Sequence, residues 1–170
     1  VLTELLQRGH RVTVLARNPA KLSAREGLSV VAADAQDAAQ VAKAVAGHDA
    51  VVSAYNPGWG RPDIYDEFLK GTHAIYAGTR QSGVRRLLVV GGAGSLFVAP
   101  GVQLVDTPEF PADYKQGALA AREALNLIRG SEMSQVIREG QRVYPRKALD
   151  DGYEFKQPEL AGALANLLRK

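Results

Sequence analysis

Arg17, Asp34, Ser95 and Tyr114 are the side chains whose type and position could do chemistry, because each follows the end of an apolar run or opens a helix beyond one. Arg17, with Lys21 nearby, comes directly after Arg11-Val12-Thr13-Val14-Leu15-Ala16. At that position a dinucleotide-binding sheet that uses NAD places an acid for the ribose hydroxyls, whereas a base suits the 2′-phosphate of NADP. NADP is therefore the expected cofactor, with NAD as the alternative; the bland reading is a pair of solvated charges. Asp34 follows Leu28-Ser29-Val30-Val31-Ala32-Ala33 and could accept a hydrogen bond from adenine, or could simply form the turn before Ala35.

Gly92-Ala93-Gly94-Ser95-Leu96-Phe97 matches two of the three glycines of G-x-G-x-x-G, but Phe97 stands at the third and Pro100-Gly101 follows where a helix is needed. That motif works by placing pyrophosphate at a helix N-terminus, so the match fails on mechanism as well as spelling. The loop is expected to border a nicotinamide or a substrate, with the Ser95 hydroxyl as a donor; the alternative is a plain turn. Tyr114 could deliver a proton to a carbonyl oxygen during hydride transfer if a nearby ammonium lowered its pKa. The usual partner lies four residues on, where this chain has Ala118, and the adjacent Lys115 points about 100° away around the helix. Tyr114 is thus a lone catalytic candidate, or else a packing or substrate-binding residue. Trp59, the only tryptophan, lies in Asn56-Pro57-Gly58-Trp59-Gly60-Arg61-Pro62 and could cover a ring or pack on the domain.

The elements that must position these residues alternate. A helix over 1–7 ends at Gly9; strands are expected at 11–16, 28–33, 50–55 and 86–90. Between them the pattern predicts a short helix at 20–24, a helix capped by Asp37, and a long helix from Asp63 with Ile64, Phe68, Thr72, Ile75 and Thr79 on one side. The aliphatic run Leu87-Leu88-Val89-Val90 suits a strand buried on both faces. Such alternation argues for right-handed crossovers and an α/β, Rossmann-type parallel sheet with helices on both faces. Residues 96–112, with three prolines, read as a long surface excursion, and 113–128 as a helix offering Ala118, Leu119, Ala121, Leu125 and Leu127 for packing.

The totals narrow the classes. A chain of 170 residues, 46% hydrophobic and 23% charged, can bury one core. Having no cysteine, it has no disulfide, thiolate metal site or cysteine nucleophile, which suits a cytoplasmic protein. No apolar run reaches the roughly 18 residues of a spanning helix, and the first residues do not read as a signal peptide. The net charge of +3 is scattered and aromatics are 6%, so no nucleic-acid surface is expected. His10, His48 and His73 lack metal-ligand spacing, and Asp63, Asp66 and Glu67 read as helix N-terminal acids.

Residues 11–18, Ala33-Asp34, Ser53-Ala54, 91–95 and Asp113-Tyr114-Lys115 together resemble the atypical short-chain dehydrogenase/reductase group that includes NADH-flavin reductases and NmrA-like proteins, over residues 1–130. The resemblance implies a Rossmann domain with a dinucleotide over the strand ends, contacted from Arg17, Asp34, Ser53, Ala54 and Gly91, with Asn18, Lys21 and Gly92 beside them. Many members lack the tyrosine-lysine pair. Members begin with a strand and a turn of the form G-A-T-G-x-x-G before the helix matching 1–8, so the sheet is expected to lack its first strand and Gly-rich turn, as in a truncated or partly recorded chain. If the 170 residues are the whole molecule, dinucleotide affinity should be severely reduced. A chain so built could also borrow a strand from a second copy. From 131 to 170, Gln141-Arg142-Val143-Tyr144-Pro145-Arg146-Lys147, Gly152-Tyr153-Glu154-Phe155 and Pro158-Glu159-Leu160 resemble the C-terminal, substrate-side end of sugar-nucleotide-epimerase-like short-chain proteins. The implied activity is hydride transfer to a small carbonyl, quinone or flavin. The alternatives are a nucleotide-sugar epimerase or dehydratase, and a non-catalytic NADP-sensing regulator.

Overall fold

The computed structural model of the chain describes residues 1–129. It divides into units at Val1–Val136 and Ile137–Lys170, and the expectations for residues 131–170 lie outside the described residues. The alternation expected from sequence is present. Helix α1 (Leu2–Gln7) leads to β1 (Val12–Ala16), β2 (Leu28–Ala32), α2 (Ala38–Val45), β3 (Val51–Ser53), α3 (Ile64–Gln81) and β4 (Leu87–Val89). A hairpin, β5 (Phe97–Ala99) with β6 (Val102–Gln103), precedes α4 (Ala112–Arg129).

Both crossover pairs are parallel: β1 runs beside β2 with Val12 opposite Leu28, and β3 beside β4 with Val51 opposite Leu87. Among the described residues the two pairs are not hydrogen-bonded to each other. Thr13 on β1 instead meets His48, just beyond α2, with Thr13 Oγ1 2.9 Å from His48 Nε2. His48 Nδ1 lies 3.1 Å from the Val45 carbonyl, which can only accept, so Nδ1 carries a proton and donates there.

Helix α3 organises the packing, with α2 on one side and α4 on the other. Its apolar face is the one the spacing predicts: Ile64, Phe68, Thr72, Ile75 and Thr79 are all buried. The two threonines fit because each hydroxyl donates to the carbonyl one turn back, Thr72 to Phe68 at 2.9 Å and Thr79 to Ile75 at 2.7 Å, so neither buried hydroxyl is left unpaired. Phe68 joins Ala120 and Ala124 in the core between α3 and α4.

The N-terminus of α2 is capped as expected. Asp37 Oδ1 accepts from the amides of Ala39 (2.9 Å) and Gln40 (3.1 Å), and Oδ2 accepts from the Gln40 side chain at 2.8 Å. The Gln40 amide first, then its side chain and the Ala39 amide, hold the carboxyl below its ordinary value of 3.8. A lowered folded pKa means that the stabilisation is complete above the ordinary value and fades as pH falls through the lower one. Asp37→Asn, which keeps an acceptor at the cap, should therefore leave the neutral-pH melting temperature little changed and reduce its fall below about pH 4. Thermal melts at pH 7 and pH 3 measure this, and an undiminished acid slope would contradict it.

Four expectations need correction. Residues 20–24 hold no α-helix; a three-residue 3-10 turn, Pro19–Lys21, replaces it, too short to present an apolar face. The strand read as buried on both faces leaves Leu88, Val89 and Val90 at 50%, 40% and 53% exposure, because among the described residues β4 is paired on one edge only. Residues 96–112 do run over the surface, but they are not irregular throughout: they carry the β5–β6 hairpin and a 3-10 turn that fully buries Val105. In α4 the expected Ala118 is buried and Ala121 packs against the core, but Leu119, Leu125 and Leu127 are only half-buried, and the spacing missed Ala120, Ala124 and Ile128, which are buried one turn apart. No described helix is long and apolar enough to cross a membrane.

Candidate functional site

The carboxyl ends of the strands open into two cavities that share a wall. The first, of about 250 Å³, is polar and includes Arg17 beyond β1, Asp34 and Gln36 beyond β2, and Asn56 and Arg61 beyond β3. The second, of about 540 Å³, is largely apolar; its walls include Val90 and Gly91–Gly94 beyond β4, Trp59 from the β3–α3 loop, and Tyr114 and Gly117 of α4. Ala54, Tyr55 and Asn56 line both.

Tyr55 is the partition. Its ring lies across Gly71 of α3, where an added Cβ would collide with it, and meets Phe68 edge-on at 6.1 Å. Its hydroxyl donates to the Glu67 carbonyl at 3.1 Å and accepts from Gln36 Nε2 at 3.0 Å, while the same Gln36 amide donates to Glu67 Oε2 at 2.7 Å. These bonds fix the wall from both sides. Neither Tyr55 nor Gln36 was singled out by sequence; the available signal was Gly71, a glycine inside a helix, which usually marks a close approach.

Charge in the polar cavity is unevenly committed. Arg61 Nε and Nη2 bind Asp63 at 2.9 and 2.7 Å, and this pairing holds Asp63 below its ordinary carboxylate value and raises the guanidinium. Arg17 makes no hydrogen bond or ion pair among the described residues, so its cation is available to a ligand. Asp34 serves the turn, accepting from the Gln36 amide at 2.9 Å, and lines the cavity as well.

The other sequence candidates distribute as follows. Asn18 caps the Pro19–Lys21 turn, accepting from the Ala20 amide at 3.2 Å, and Lys21 is exposed outside both cavities. Ser53 is buried, its Oγ 3.4 Å from the Tyr55 amide, and lines neither cavity; Ala54 lines both. Gly91 and Gly92 line the apolar cavity, but Ser95 does not, and its hydroxyl donates to the Gly92 carbonyl at 3.0 Å. Tyr114 lines the apolar cavity, half exposed, with its ring edge-on to Trp59 at 5.3 Å. Lys115 is exposed and absent from the cavity wall.

The glycines of the strand-end turn have a packing reason. A Cβ at Gly94 would lie 3.0 Å from Ala118 Cβ and 3.2 Å from Val105 Cβ; one at Gly92 would lie 3.2 Å from Ala121 Cβ. The turn therefore lies directly on α4. It passes into a 3-10 turn, Ala93–Ser95, and no described α-helix opens at a Gly-rich turn. The described residues thus offer a polar cavity with an uncommitted guanidinium beside a largely apolar cavity of about 540 Å³, a pairing whose chemistry suits a dinucleotide.

Parallel strands with crossover helices and a ligand cleft at their carboxyl ends define the Rossmann-like class of nucleotide-binding proteins. The chain belongs to the NAD(P)H-binding family, whose model matches residues 1–138, and its cofactor is a nicotinamide dinucleotide. A second model, a domain of unknown function designated DUF1731, matches residues 122–167, the region whose sequence resembles epimerase-like tails. The uncharacterized protein YwnB of Bacillus subtilis is 36% identical over 116 residues, 67% of this chain and 52% of that protein. A solved structure described as a "putative epimerase" from Bacteroides thetaiotaomicron is 41% identical, with a TM-score of 0.70 over 78% of this chain and 59% of that one. Another, described as a "putative NADH-flavin reductase" from Streptococcus pneumoniae, is 32% identical, with a TM-score of 0.61 over 76% and 59%. The chain thus spans about half to three-fifths of these relatives.

Proposed function

We propose that this protein is an NADPH-preferring reductase that passes hydride to a small carbonyl, quinone or flavin. The observation that carries the reading is the pair of joined cavities, one holding the uncommitted Arg17 and the other free of charged side chains among its lining residues. When bound, the cofactor supplies the hydride. Arg17 holds the 2′-phosphate and Asp34 accepts from the adenine; Tyr55 separates the nucleoside end from the reacting end. Trp59, Phe110 and Pro111 shield the acceptor from water, and the Tyr114 hydroxyl, at the mouth, donates the proton that balances the hydride and regains it from solvent.

The second reading, a nucleotide-sugar epimerase, is favoured by the 41% identity to the structure described as an epimerase. Its substrate would bring a diphosphate, however, and none of the described residues lining the apolar cavity is basic. Incubation with NADPH and menadione or FMN separates the readings. A reductase oxidises NADPH in proportion to the acceptor, whereas an epimerase interconverts a nucleotide sugar without net cofactor consumption. Dinucleotide binding with no oxidation across such acceptors would contradict the reductase and support a sensor.

A further inference from the structure

The apolar cavity owes its shape to an absent side chain. Trp59 reaches α4 from the β3–α3 loop, and the benzo edge of its indole lies over Gly117: a Cβ there would come within 2.6 Å of Trp59 Cζ3 and 3.3 Å of Cη2, and within 3.1 Å of Ile64 Cδ1. Gly117 is buried inside an 18-residue α-helix, where glycine is otherwise disfavoured. One turn earlier, Tyr114 meets the same indole edge-on, with rings 5.3 Å apart and planes 82° apart. Trp59 nevertheless remains 56% exposed, so one side of it is packed while much of the ring remains open. Val90 and the glycine-rich turn Gly91-Gly92-Ala93-Gly94 line the same cavity, and the turn presents little side-chain bulk to it.

We propose that Gly117 is a specificity-determining residue: by seating Trp59 on α4 it makes the cavity a slot for a flat, uncharged aromatic ring system, in preference to a saturated ketone of similar size. This extends the reductase reading by naming the acceptor class. Two perpendicular aromatic planes offer a ligand ring one face and one edge, the geometry that aromatic pairs favour, and an uncharged wall does not repay the dehydration of an ionised group. A saturated, globular ketone gains only area from the same walls.

The test needs no turnover. Trp59 is the sole tryptophan, so emission of the full chain reports on this seat alone. Titration with menadione should quench it saturably, where free N-acetyltryptophanamide shows only linear collisional quenching. Equilibrium dialysis should show menadione held at least about tenfold more tightly than camphor. Gly117→Ala should shift the emission to longer wavelength and collapse that ratio towards one. Should this variant not fold, Trp59→Ala keeps the glycine, removes a half-exposed ring, and should collapse the ratio in the same dialysis. Equal binding of the two ketones by the unaltered protein, no detectable binding of menadione, or an unchanged ratio in the variants would each overturn the proposal. Saturable menadione binding without NADPH oxidation would instead leave the slot standing and remove the reductase reading.

Discussion

Arg17→Glu should weaken NADPH binding by on the order of a hundredfold while leaving NADH within a few-fold of its starting affinity. The guanidinium lines the polar cavity and has no partner among the described residues, so its charge is available to a 2′-phosphate. A charge-assisted hydrogen bond contributes about 1.5–3 kcal/mol, each 1.4 kcal/mol is tenfold in affinity, and a carboxylate in its place adds repulsion. The same carboxylate suits the ribose hydroxyls of NADH, which protects that affinity. Because Arg17 is exposed, the NADPH preference should also shrink as salt rises. Direct titration of both cofactors at low and moderate ionic strength measures these effects. An unchanged NADPH affinity would remove Arg17 from the site.

Gly78→Ala should destabilise the protein by about 1–3 kcal/mol, the usual range for overpacking. An isolated helix would gain up to about 1 kcal/mol from that change, so the sign is diagnostic of packing. A Cβ at Gly78 would lie 2.6 Å from the Ala38 carbonyl oxygen and 2.7 Å from Val41 Cβ, and the first of these is backbone that cannot rotate away. Helices α2 and α3 must then separate, and Val41, one of the most buried residues, loses its contacts. Denaturant or thermal unfolding measures the loss. Val41→Ala in the same chain should give back part of it, since it removes the Val41 Cγ1 that would lie 2.8 Å from the added Cβ. A melting temperature equal to or above that of the parent would show that the helices do not meet at Gly78.

What sequence reveals here follows the range of each interaction. The buried face of α3 and the Asp37 cap depend on residues within a turn or two of one another, and both are legible from spacing. Burial of β4 is not, because Leu87-Leu88-Val89-Val90 reads the same whether a strand has two neighbours or one. The face of α4 is legible only in part: Ala118 and Ala121 follow from spacing, but in Ala118-Leu119-Ala120-Ala121 the alanines look alike, and only contact with Phe68 selects Ala120. Arg17 and Asp34 were legible because strand ends can be located; the Tyr55, Gln36 and Glu67 network was not, since it joins three segments whose order in space only the fold sets. Ser95 shows the converse, a hydroxyl well placed in sequence whose hydrogen bond is made within its own turn.

The close approach of Gly92 and Gly94 to Ala121 and Ala118 has an evolutionary consequence. A pattern search would assign the two glycines to phosphate, yet the constraint on them comes from a helix that follows later in the chain. Lineages are free to enlarge a residue of that turn only where the facing alanine shrinks or α4 shifts away. These four positions should therefore drift as coupled pairs, and their persistence across relatives would record a helix contact rather than a shared ligand.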